Sequence, residues 1–189
     1  MSFERKTVRR PGNVRSADRT GEMIRVDHAG EYGAVQIYKG QRAVFARLPE
    51  KARIAGQLKR MEADEQHHLD AFDKLLMERK VRPTALGPIW NVAGYGLGVV
   101  TALMGEKAAH ACTEAVESVI EGHYDAQVEE LEAAGETELA ATFARFRDEE
   151  TEHKDLAVGE GAKEAIGYPL LSAAIKAGCR LAIRVSEKV

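Results

Sequence analysis

Two Glu-x-x-His pairs, Glu65–His68 and Glu150–His153, are the first candidates for chemistry in this sequence. Residues three apart lie on one face of a helix, so each pair presents a carboxylate beside an imidazole, and together these groups can bind a metal ion. One such pair is weak evidence, because a helix rich in glutamate contains the motif by chance on a solvated polar face. The surroundings of the two pairs decide between these interpretations.

Both pairs interrupt an apolar seam. The seams consist of Leu58, Met61, Glu65, His68, Phe72 and Leu75 in the first case and of Leu139, Phe143, Phe146, Glu150, His153 and Ala157 in the second. Steps of three and four residues place each seam on the core-facing side of a helix. Asp64 and His67 form a competing pair, but they share a stripe with polar and charged residues, so we reject them as ligands. A carboxylate in a core requires a cation or a partner, and the two pairs therefore predict a metal site.

A bundle site of this kind takes one further carboxylate from each of two other helices. Glu31 and Glu117 lie on apolar stripes, and they precede Glu65 and Glu150 by 34 and 33 residues. Each of them is followed seven residues later by a tyrosine. The other glutamates near Glu117 do not keep that offset. The predicted metal ligands are Glu31, Glu65, His68, Glu117, Glu150 and His153.

The types of these ligands favour iron or manganese. Carboxylates with imidazole and without thiolate suit these metals better than structural zinc. Cys112 and Cys179 lie far apart, and neither belongs to a Cys-x-x-Cys motif, which excludes a rubredoxin-type iron centre. Four glutamates balance two divalent cations, and oxidation adds charge that a bridging oxo or hydroxo group would neutralise. We therefore predict two redox-active ions, iron or manganese, in a site suited to the activation of O2.

Four long helical patterns can position these ligands. They run from about Gly21 to Leu48, from after Pro49 to about Lys80, from near Glu106 to Ala134, and from about Glu136 to Gly161. The short turns at Pro49 and Gly135 predict two antiparallel hairpins, and the lack of period-2 alternation predicts no sheet. The predicted fold class is all-α, a ferritin-like four-helix bundle with a long apolar crossover and an extra C-terminal amphipathic helix.

Composition agrees with one folded domain. Of 189 residues, 44% are hydrophobic and 30% are charged, which excludes a disordered chain. The net charge of −3 gives no general case for binding nucleic acid. Residues 1–20 are rich in arginine and lysine and lack the apolar segment of a secretory signal. We interpret them as a flexible basic arm that precedes a domain of residues 21–189.

Residues 83–105 form an uncharged run of 23 residues, PTALGPIWNVAGYGLGVVTALMG. About 20 apolar residues suffice to span a bilayer, but two prolines and five glycines suit an isolated helix in lipid poorly. Spanning would also separate the two hairpins that must share the ligands. We interpret the run as the crossover of the bundle, lying on a membrane surface. A buried crossover or a dimer contact is the alternative.

The last helical pattern, residues 169–187, also favours a membrane surface. Lys176, Arg180, Arg184 and Lys188 recur every four residues as a basic ridge beside a broad apolar surface. Anionic lipid headgroups suit such a ridge. The alternative is a solvated face on a docked helix.

The sequence resembles the demethoxyubiquinone hydroxylases of ubiquinone biosynthesis, a ferritin-like di-iron family. The matching stretches include RVDHAGEYGA at 25–34, VRPTALGPIWN at 81–91, TALMGEKAAHACTEAVE at 101–117, FRDEETEH at 146–153 and AGCRLAIRVSE at 177–187. The resemblance covers roughly residues 21–187 and implies the six iron ligands that the seams predict. It also implies O2-dependent hydroxylation of a ring carbon of a polyprenyl methoxy-methyl-benzoquinone, with NADH as the electron donor. His123 and Tyr124 match a His-Tyr pair proposed to relay electrons in this family.

Alternatives to this function remain at this stage. A ferritin-like iron-storage or detoxification protein and a manganese catalase share the fold, and the uncharged run favours a lipid-soluble substrate over both. For His123 the alternative is a structural role, and for Tyr38 it is a hydrogen-bonded tyrosine of the core. We interpret His28, His67 and His110 as surface residues or supports of the ligands.

The expected location follows from the resemblance and the apolar run. It is the cytoplasmic face of a bacterial inner membrane, where the protein is peripheral, or the matrix side of the mitochondrial inner membrane in a eukaryote. The prenyl tail length, the physiological electron donor, a homo-oligomeric state and the need for a lipid-presenting partner protein stay open.

Overall fold

In the computed structural model, the described part of the chain, residues 11–188, consists of helices joined by short turns and loops, with side chains described from residue 19 onward. Its helices are α1 (Pro11–Phe45), α2 (Ala52–Arg79), α3 (Gly87–Leu103), α4 (Glu106–Ala133), α5 (Thr137–Gly159) and α6 (Tyr168–Ser186). Short 3-10 turns lie at Pro49–Lys51 and Ala162–Glu164. No strand occurs in these residues, which confirms the all-α prediction.

Helices α1, α2, α4 and α5 form the four-helix bundle. Its hairpins turn at Pro49 and at Gly135, whose positive φ of 78° suits a residue without a Cβ atom. One core cluster takes Ile24, Phe72, Tyr124 and Phe143 from the four helices in turn. The two seams predicted from the sequence are buried along their whole length, except that Leu75 is partly exposed. The hydrophobic period therefore located the core-facing sides correctly.

The first helix begins earlier than predicted. α1 starts at Pro11, so residues 11–20 of the expected arm belong to this helix. Arg19 ties the helix to the bundle, with its Nε atom 3.0 Å from Glu130 Oε2 and its Nη1 atom 3.4 Å from Glu187 Oε1. Residues 1–10 lie outside the described residues, and a flexible arm there stays a prediction.

The uncharged run forms a helix, α3, that packs closely against α1. Pro88 lies in the first turn, where a missing N–H costs no hydrogen bond. A Cβ atom at Gly94 would lie 2.7 Å from the carbonyl oxygen of Gly33, and one at Gly98 would lie 2.1 Å from that of Ile37. The glycines that argued against a helix in lipid thus allow two helix backbones to touch. Within the described residues, every helix is too short or too polar to cross a bilayer.

Helix α6 docks on α4 through a buried carboxylate. Glu114 accepts hydrogen bonds from Tyr168 Oη at 2.9 Å, from Ser172 Oγ at 3.3 Å and from Lys176 Nζ at 3.0 Å. Burial opposes its ionisation, but the hydrogen bonds from Lys176, Ser118 and Tyr168, with the charge of Lys176, together outweigh this and lower the pKa of Glu114. The prediction that Lys176 belongs to an exposed basic ridge is therefore wrong, because its ammonium group is paired inside the α4–α6 contact.

The close contact between α1 and α3 predicts opposite effects of the same substitution at two glycines. Gly98→Ala should lower the free energy of unfolding by about 1–3 kcal/mol, because its Cβ atom would overlap the backbone of α1. Gly96→Ala is the matched control, since no atom lies within 4 Å of a Cβ there, and it should raise stability by about 0.5–1 kcal/mol. Urea unfolding followed by circular dichroism measures both. Equal stabilities of the two variants would contradict the close packing.

Candidate metal centre

The six predicted ligands come together in the middle of the bundle, and each has an exposed fraction of at most 7%. They form two overlapping groups whose ligand atoms lie within 4.8 Å of one another. The groups are Glu31, Glu65, His68 and Glu150, and Glu65, Glu117, Glu150 and His153. Glu65 and Glu150 belong to both groups. The arrangement therefore has the form of two neighbouring metal positions that share two carboxylates.

Each imidazole directs its Nδ1 atom toward the carboxylates. His68 Nδ1 lies 3.0 Å from Glu150 Oε1 and 3.4 Å from Glu31 Oε2. His153 Nδ1 lies 3.1 Å from Glu65 Oε1 and 3.4 Å from Glu150 Oε2. Each histidine thus reaches a glutamate of the other Glu-x-x-His pair. Neither pair can form the cluster alone, so the packing of α2 against α5 builds it.

Several buried polar atoms of this cluster have no hydrogen-bond partner. They include Glu65 Oε2, His68 Nδ1 and both carboxylate oxygens of Glu150. Buried polar atoms without partners are rare, because each carries the cost of its lost hydration. Two divalent cations would satisfy these atoms and neutralise four carboxylates. The residues present therefore fit a pair of iron or manganese ions.

Without cations, the cluster retains protons. Burial, together with repulsion from the neighbouring carboxylates, raises the pKa of Glu65 and of Glu117 well above the usual range. Burial opposes protonation of His68 and His153, but the adjacent glutamate carboxylates outweigh it and raise their pKa values to about 12 and about 9. Protons on these groups thus supply the positive charge that metal ions would supply, and metal binding must release the protons.

Two buried tyrosines connect the halves of the bundle. Tyr38 Oη donates to Glu117 Oε1 at 2.7 Å, and Tyr124 Oη donates to Glu31 Oε1 at 2.5 Å. Burial and the adjacent carboxylates hold the pKa of both phenols well above the usual value, so both remain neutral donors. Each tyrosine that follows a predicted ligand in sequence therefore supports the equivalent ligand of the other half.

Two acidic residues that the sequence did not predict as part of the site contact the outer nitrogens of the imidazoles. His68 Nε2 lies 2.6 Å from Glu149 Oε2, and His153 Nε2 lies 3.3 Å from Asp64 Oδ2. A carboxylate in this position fixes the ring and leaves Nδ1 free for a metal. Asp64 is not a predicted ligand, but the rejection of its pair missed this role. The signal was present, because an acidic residue directly precedes both Glu-x-x-His motifs.

His123 lies in a polar chain beside Tyr124. Its Nε2 atom is 3.3 Å from Asp27 Oδ1 and 3.0 Å from Gln127 Nε2, and Gln127 donates to Asp27 at 3.0 Å. Burial opposes its protonation, but the bond to Asp27 raises the pKa of His123. Sequence reasoning missed Asp27, although it precedes Glu31 by one helical turn. His123 also lines a cavity of about 300 Å³ together with Arg180 and Arg184.

The other histidines do not join the buried cluster. His28 Nε2 lies 3.0 Å from Asp73 Oδ1 near the surface. His110 is buried in the core and neither of its ring nitrogens has a hydrogen-bond partner. His67 is exposed, but its ligand atom lies within 4.8 Å of those of His68 and Glu149.

A larger apolar cavity of about 580 Å³ lies between helices α1, α3, α4 and α6. Its lining combines small residues such as Gly30, Ala34 and Gly94 with larger ones such as Ile120 and Leu171. Gly30 and Val116 of its wall directly precede Glu31 and Glu117 in the chain. Trp90 Nε1 donates to Ser186 Oγ at 3.1 Å and joins α3 to α6 at its border. The cavity therefore shares helices α1 and α4 with the candidate centre.

Comparison with known proteins finds relatives along nearly the whole chain. The profile of the family "Ubiquinone biosynthesis protein COQ7" matches residues 18–186. The chain is 51% identical over 187 residues to a 3-demethoxyubiquinol 3-hydroxylase of Rhodospirillum rubrum, covering 98% of this chain and 86% of that protein. The chain belongs to this family. It is 44% identical over 170 residues to a human NADPH-dependent 3-demethoxyubiquinone 3-hydroxylase, covering 88% of this chain and 76% of that protein. It is 40% identical over 182 residues to a 5-demethoxyubiquinone hydroxylase of Saccharomyces cerevisiae, covering 88% of this chain and 77% of that protein.

Membership in the COQ7 family confirms the resemblance predicted from the sequence blocks. It also agrees with the geometry, since residues 18–186 include every member of the cluster and both cavities. The assignment of the six residues as metal ligands stays a prediction that metal analysis can test.

Metal analysis of single variants tests the ligand assignment. Glu150→Ala or His68→Ala should reduce bound iron from about two ions per chain to well below one, because each removes a group of the buried cluster. His28→Ala is the matched control, since its ring bonds only to Asp73, and its iron content should equal that of the wild type. Iron per chain, measured by mass spectrometry after anaerobic loading, reads out the result. Unchanged iron in both cluster variants would refute the assignment.

Proposed function

We propose that this chain is a di-iron monooxygenase that hydroxylates the ring of a demethoxyubiquinone, a polyprenyl methoxy-methyl-benzoquinone, in ubiquinone biosynthesis. The observation that carries the proposal is the apolar cavity of about 580 Å³, which α1 and α4 line with residues that directly precede Glu31 and Glu117 of a cluster fit for two metal ions. The names of the relatives support it, because all three compared above are hydroxylases of demethoxyubiquinone or its quinol.

Two iron ions, when bound, supply the activation of O2. Glu65 and Glu150 lie in both groups and would hold both ions, while Glu31 with His68 and Glu117 with His153 would each hold one. Glu149 and Asp64 fix the two imidazole rings from outside. Tyr38 and Tyr124 hold one oxygen each of Glu117 and Glu31, which orients the remaining oxygen.

The cavity can take both parts of a prenylated quinone. Its lining is almost wholly apolar, so it excludes water from the reaction and accommodates an isoprenoid tail. Small residues of α1 such as Gly30 and Ala34 leave room beside Glu31 for a flat ring. A substrate placed there would present a ring carbon to the candidate centre, while its tail follows the groove between α3 and α6.

The smaller cavity is the place that we propose for the electron donor. His123, Arg180 and Arg184 give it a basic lining that suits the phosphates of NADH or NADPH. His123 adjoins Tyr124, whose phenol donates to Glu31. This connection links the surface cavity to the cluster and is consistent with the relay role implied by the family. The human relative is named as NADPH-dependent, so both nucleotides belong in the assay.

We also propose that the protein binds a membrane surface as a peripheral protein. Large apolar side chains of α3 are exposed, among them Ile89 at 56%, Val92 at 74% and Leu103 at 71%. These residues recur on one side of the helix, and Leu181 of α6 is also exposed at 62%. A lipid surface would cover them and would bring a prenylated quinone to the cavity between the same two helices. The proposed location is the bacterial inner membrane on its cytoplasmic face, or the matrix side of its mitochondrial counterpart.

Storage of iron and destruction of peroxide fit the observations less well. Neither function uses an apolar cavity of this size, and the matched relatives are named as hydroxylases. The hydroxylase function therefore takes precedence over the ferritin-like and manganese-catalase alternatives.

The hydroxylation itself is tested with iron-loaded protein, O2, a short-tailed demethoxyubiquinone, and either NADH or NADPH. Adding the quinone should accelerate O2 consumption and yield a product that is heavier by one oxygen atom in mass spectrometry. Glu117→Ala should abolish both effects, because it removes one of the four carboxylates that balance the metal charge. A loaded protein that mineralises added iron and never forms the product would overturn the proposal.

Filling the cavity should impair the reaction without loss of iron. Ala174 lines the cavity, and Ala174→Phe should lower kcat/KM for the quinone about tenfold, equivalent to ~1.4 kcal/mol of binding free energy. Ala173→Phe changes the adjacent exposed residue, which is not part of the lining, and should leave the kinetics unchanged. Steady-state kinetics and iron content of both variants separate the two outcomes. Equal kcat/KM values would place the substrate elsewhere.

Sedimentation with anionic vesicles tests the membrane proposal. Val92→Glu combined with Leu103→Glu should lower binding more than tenfold, since burial of one such side chain contributes about 1.5–3 kcal/mol. Met77→Glu is the matched control, because Met77 of α2 is as exposed as Val92, at 74%. Binding of the wild type should weaken with salt, because attraction between exposed charges is screened. Wild-type protein that ignores vesicles at low salt would rule the proposal out.

A further inference from the structure

The candidate centre is closed to solvent, which leaves open how a metal ion reaches it. All six ligands are buried, and His68 has no exposed surface at all. Its ring forms part of the wall between the cluster and the surface on the side of α2 and α5. Nδ1 faces Glu150 at 3.0 Å, and Nε2 faces Glu149 at 2.6 Å.

A second group of potential ligands lies on the outer side of this ring. His67, His68 and Glu149 offer ligand atoms within 4.8 Å of one another, and we refer to these three residues as the outer cluster. Exposure falls steeply across the three, because His67 is exposed, the Glu149 side chain is 37% exposed and His68 is buried. Imidazole and carboxylate are ligands that divalent iron, cobalt and manganese accept.

His68 belongs to both clusters. Its Nε2 atom is part of the outer cluster, and its Nδ1 atom faces the buried one. Glu149 belongs to the outer cluster and Glu150 to the buried one, because these neighbours on α5 contact opposite nitrogens of the His68 imidazole. An ion held outside is therefore one side chain away from the centre.

We propose that the outer cluster is an entry site, which captures a divalent first-row metal ion from solvent and passes it to the buried centre. The inference rests on the proposed metal centre and adds the route by which that centre is filled. Glu149 also pairs loosely with Arg145, whose Nε atom lies 3.9 Å from its carboxylate. An exposed pair of this kind contributes little stability, so an arriving cation can displace it.

The other half of the bundle lacks an equivalent cluster. There the outer nitrogen of His153 faces Asp64 at 3.3 Å, and the residue that corresponds to His67 is Glu152. Among the described residues, none of the metal-competent groups contains Asp64 or Glu152. The two halves of the bundle therefore differ at the position where His67 adds a third ligand. We accordingly place the entry of the metal ion on the side of His68.

The rate of metal loading tests this role separately from the final metal content. Metal-free full-length protein is mixed with Co²⁺ without O2, and the absorbance of bound Co²⁺ is followed by stopped flow. His67→Ala should slow loading at least ~10-fold, the lower end of the gain in association rate that a local capture site gives. His67 belongs to neither group of the buried centre, so the final content should match that of the wild type. His28→Ala should load at the wild-type rate.

Three results would overturn the entry site. They are an unchanged loading rate of His67→Ala, a lower final content of that variant at an unchanged rate, and slow loading of His28→Ala as well. Absence of bound Co²⁺ in the wild type would instead refute the metal centre of the proposed function.

A second variant isolates the outer cluster itself. Glu65→Ala with Glu150→Ala removes the two carboxylates shared by both buried groups and leaves His67, His68 and Glu149 in place. We expect this protein to bind one Co²⁺ weakly and to lose that binding when His67→Ala is added. A Co²⁺ titration that shows no binding, or binding that His67→Ala does not change, would contradict the proposal.

Discussion

The compensation of four buried carboxylates is the constraint on which the rest of this structure depends. Glu31, Glu65, Glu117 and Glu150 carry charges that a helix bundle cannot hold without cations or protons. The imidazoles, the phenols and the outer acidic residues are all arranged around them. An apolar bundle of the same size would need none of these groups. Two features follow, namely the raised pKa values of the metal-free cluster and its fit to two divalent ions.

The two hairpins are related by pseudo-symmetry, and each surrounds its buried carboxylates with the same types of residue. Each hairpin supplies a glutamate outside its Glu-x-x-His motif, a tyrosine seven residues after that glutamate, and an acidic residue directly before the motif. Every one of these supports reaches across to the other hairpin. Tyr38 bonds to Glu117, Tyr124 to Glu31, and Glu149 of α5 to His68 of α2. The cluster therefore exists only when both hairpins are docked, and its formation is coupled to the packing of the bundle.

The sequence predicted the residues whose positions depend on helical period and missed those that depend on partners. The seams around Glu65 and Glu150 are local patterns, and the structure buries both. The roles of Asp64 and Asp27 depend on which helix packs opposite, which one helix alone does not reveal. Lys176 had the spacing of a surface ridge, but a buried glutamate of α4 pairs with it. Glycines in residues 83–105 argued against an isolated helix in lipid, but their use in backbone contact with α1 is a tertiary feature that the sequence does not show.

The apolar cavity and the outer cluster lie on different helices of the bundle. The apolar cavity is built from α1 and α4 together with the two added helices, and neither α2 nor α5 contributes to its lining. The outer cluster, in contrast, is built from α2 and α5 alone. An apolar substrate and a hydrated cation need opposite surroundings. The substrate needs a cavity without water, and the cation needs ligands that face solvent. A bundle with ligands on all four helices can meet both needs. Helices α1 and α4 can carry the proposed substrate route, and α2 and α5 can carry the proposed entry of the metal ion.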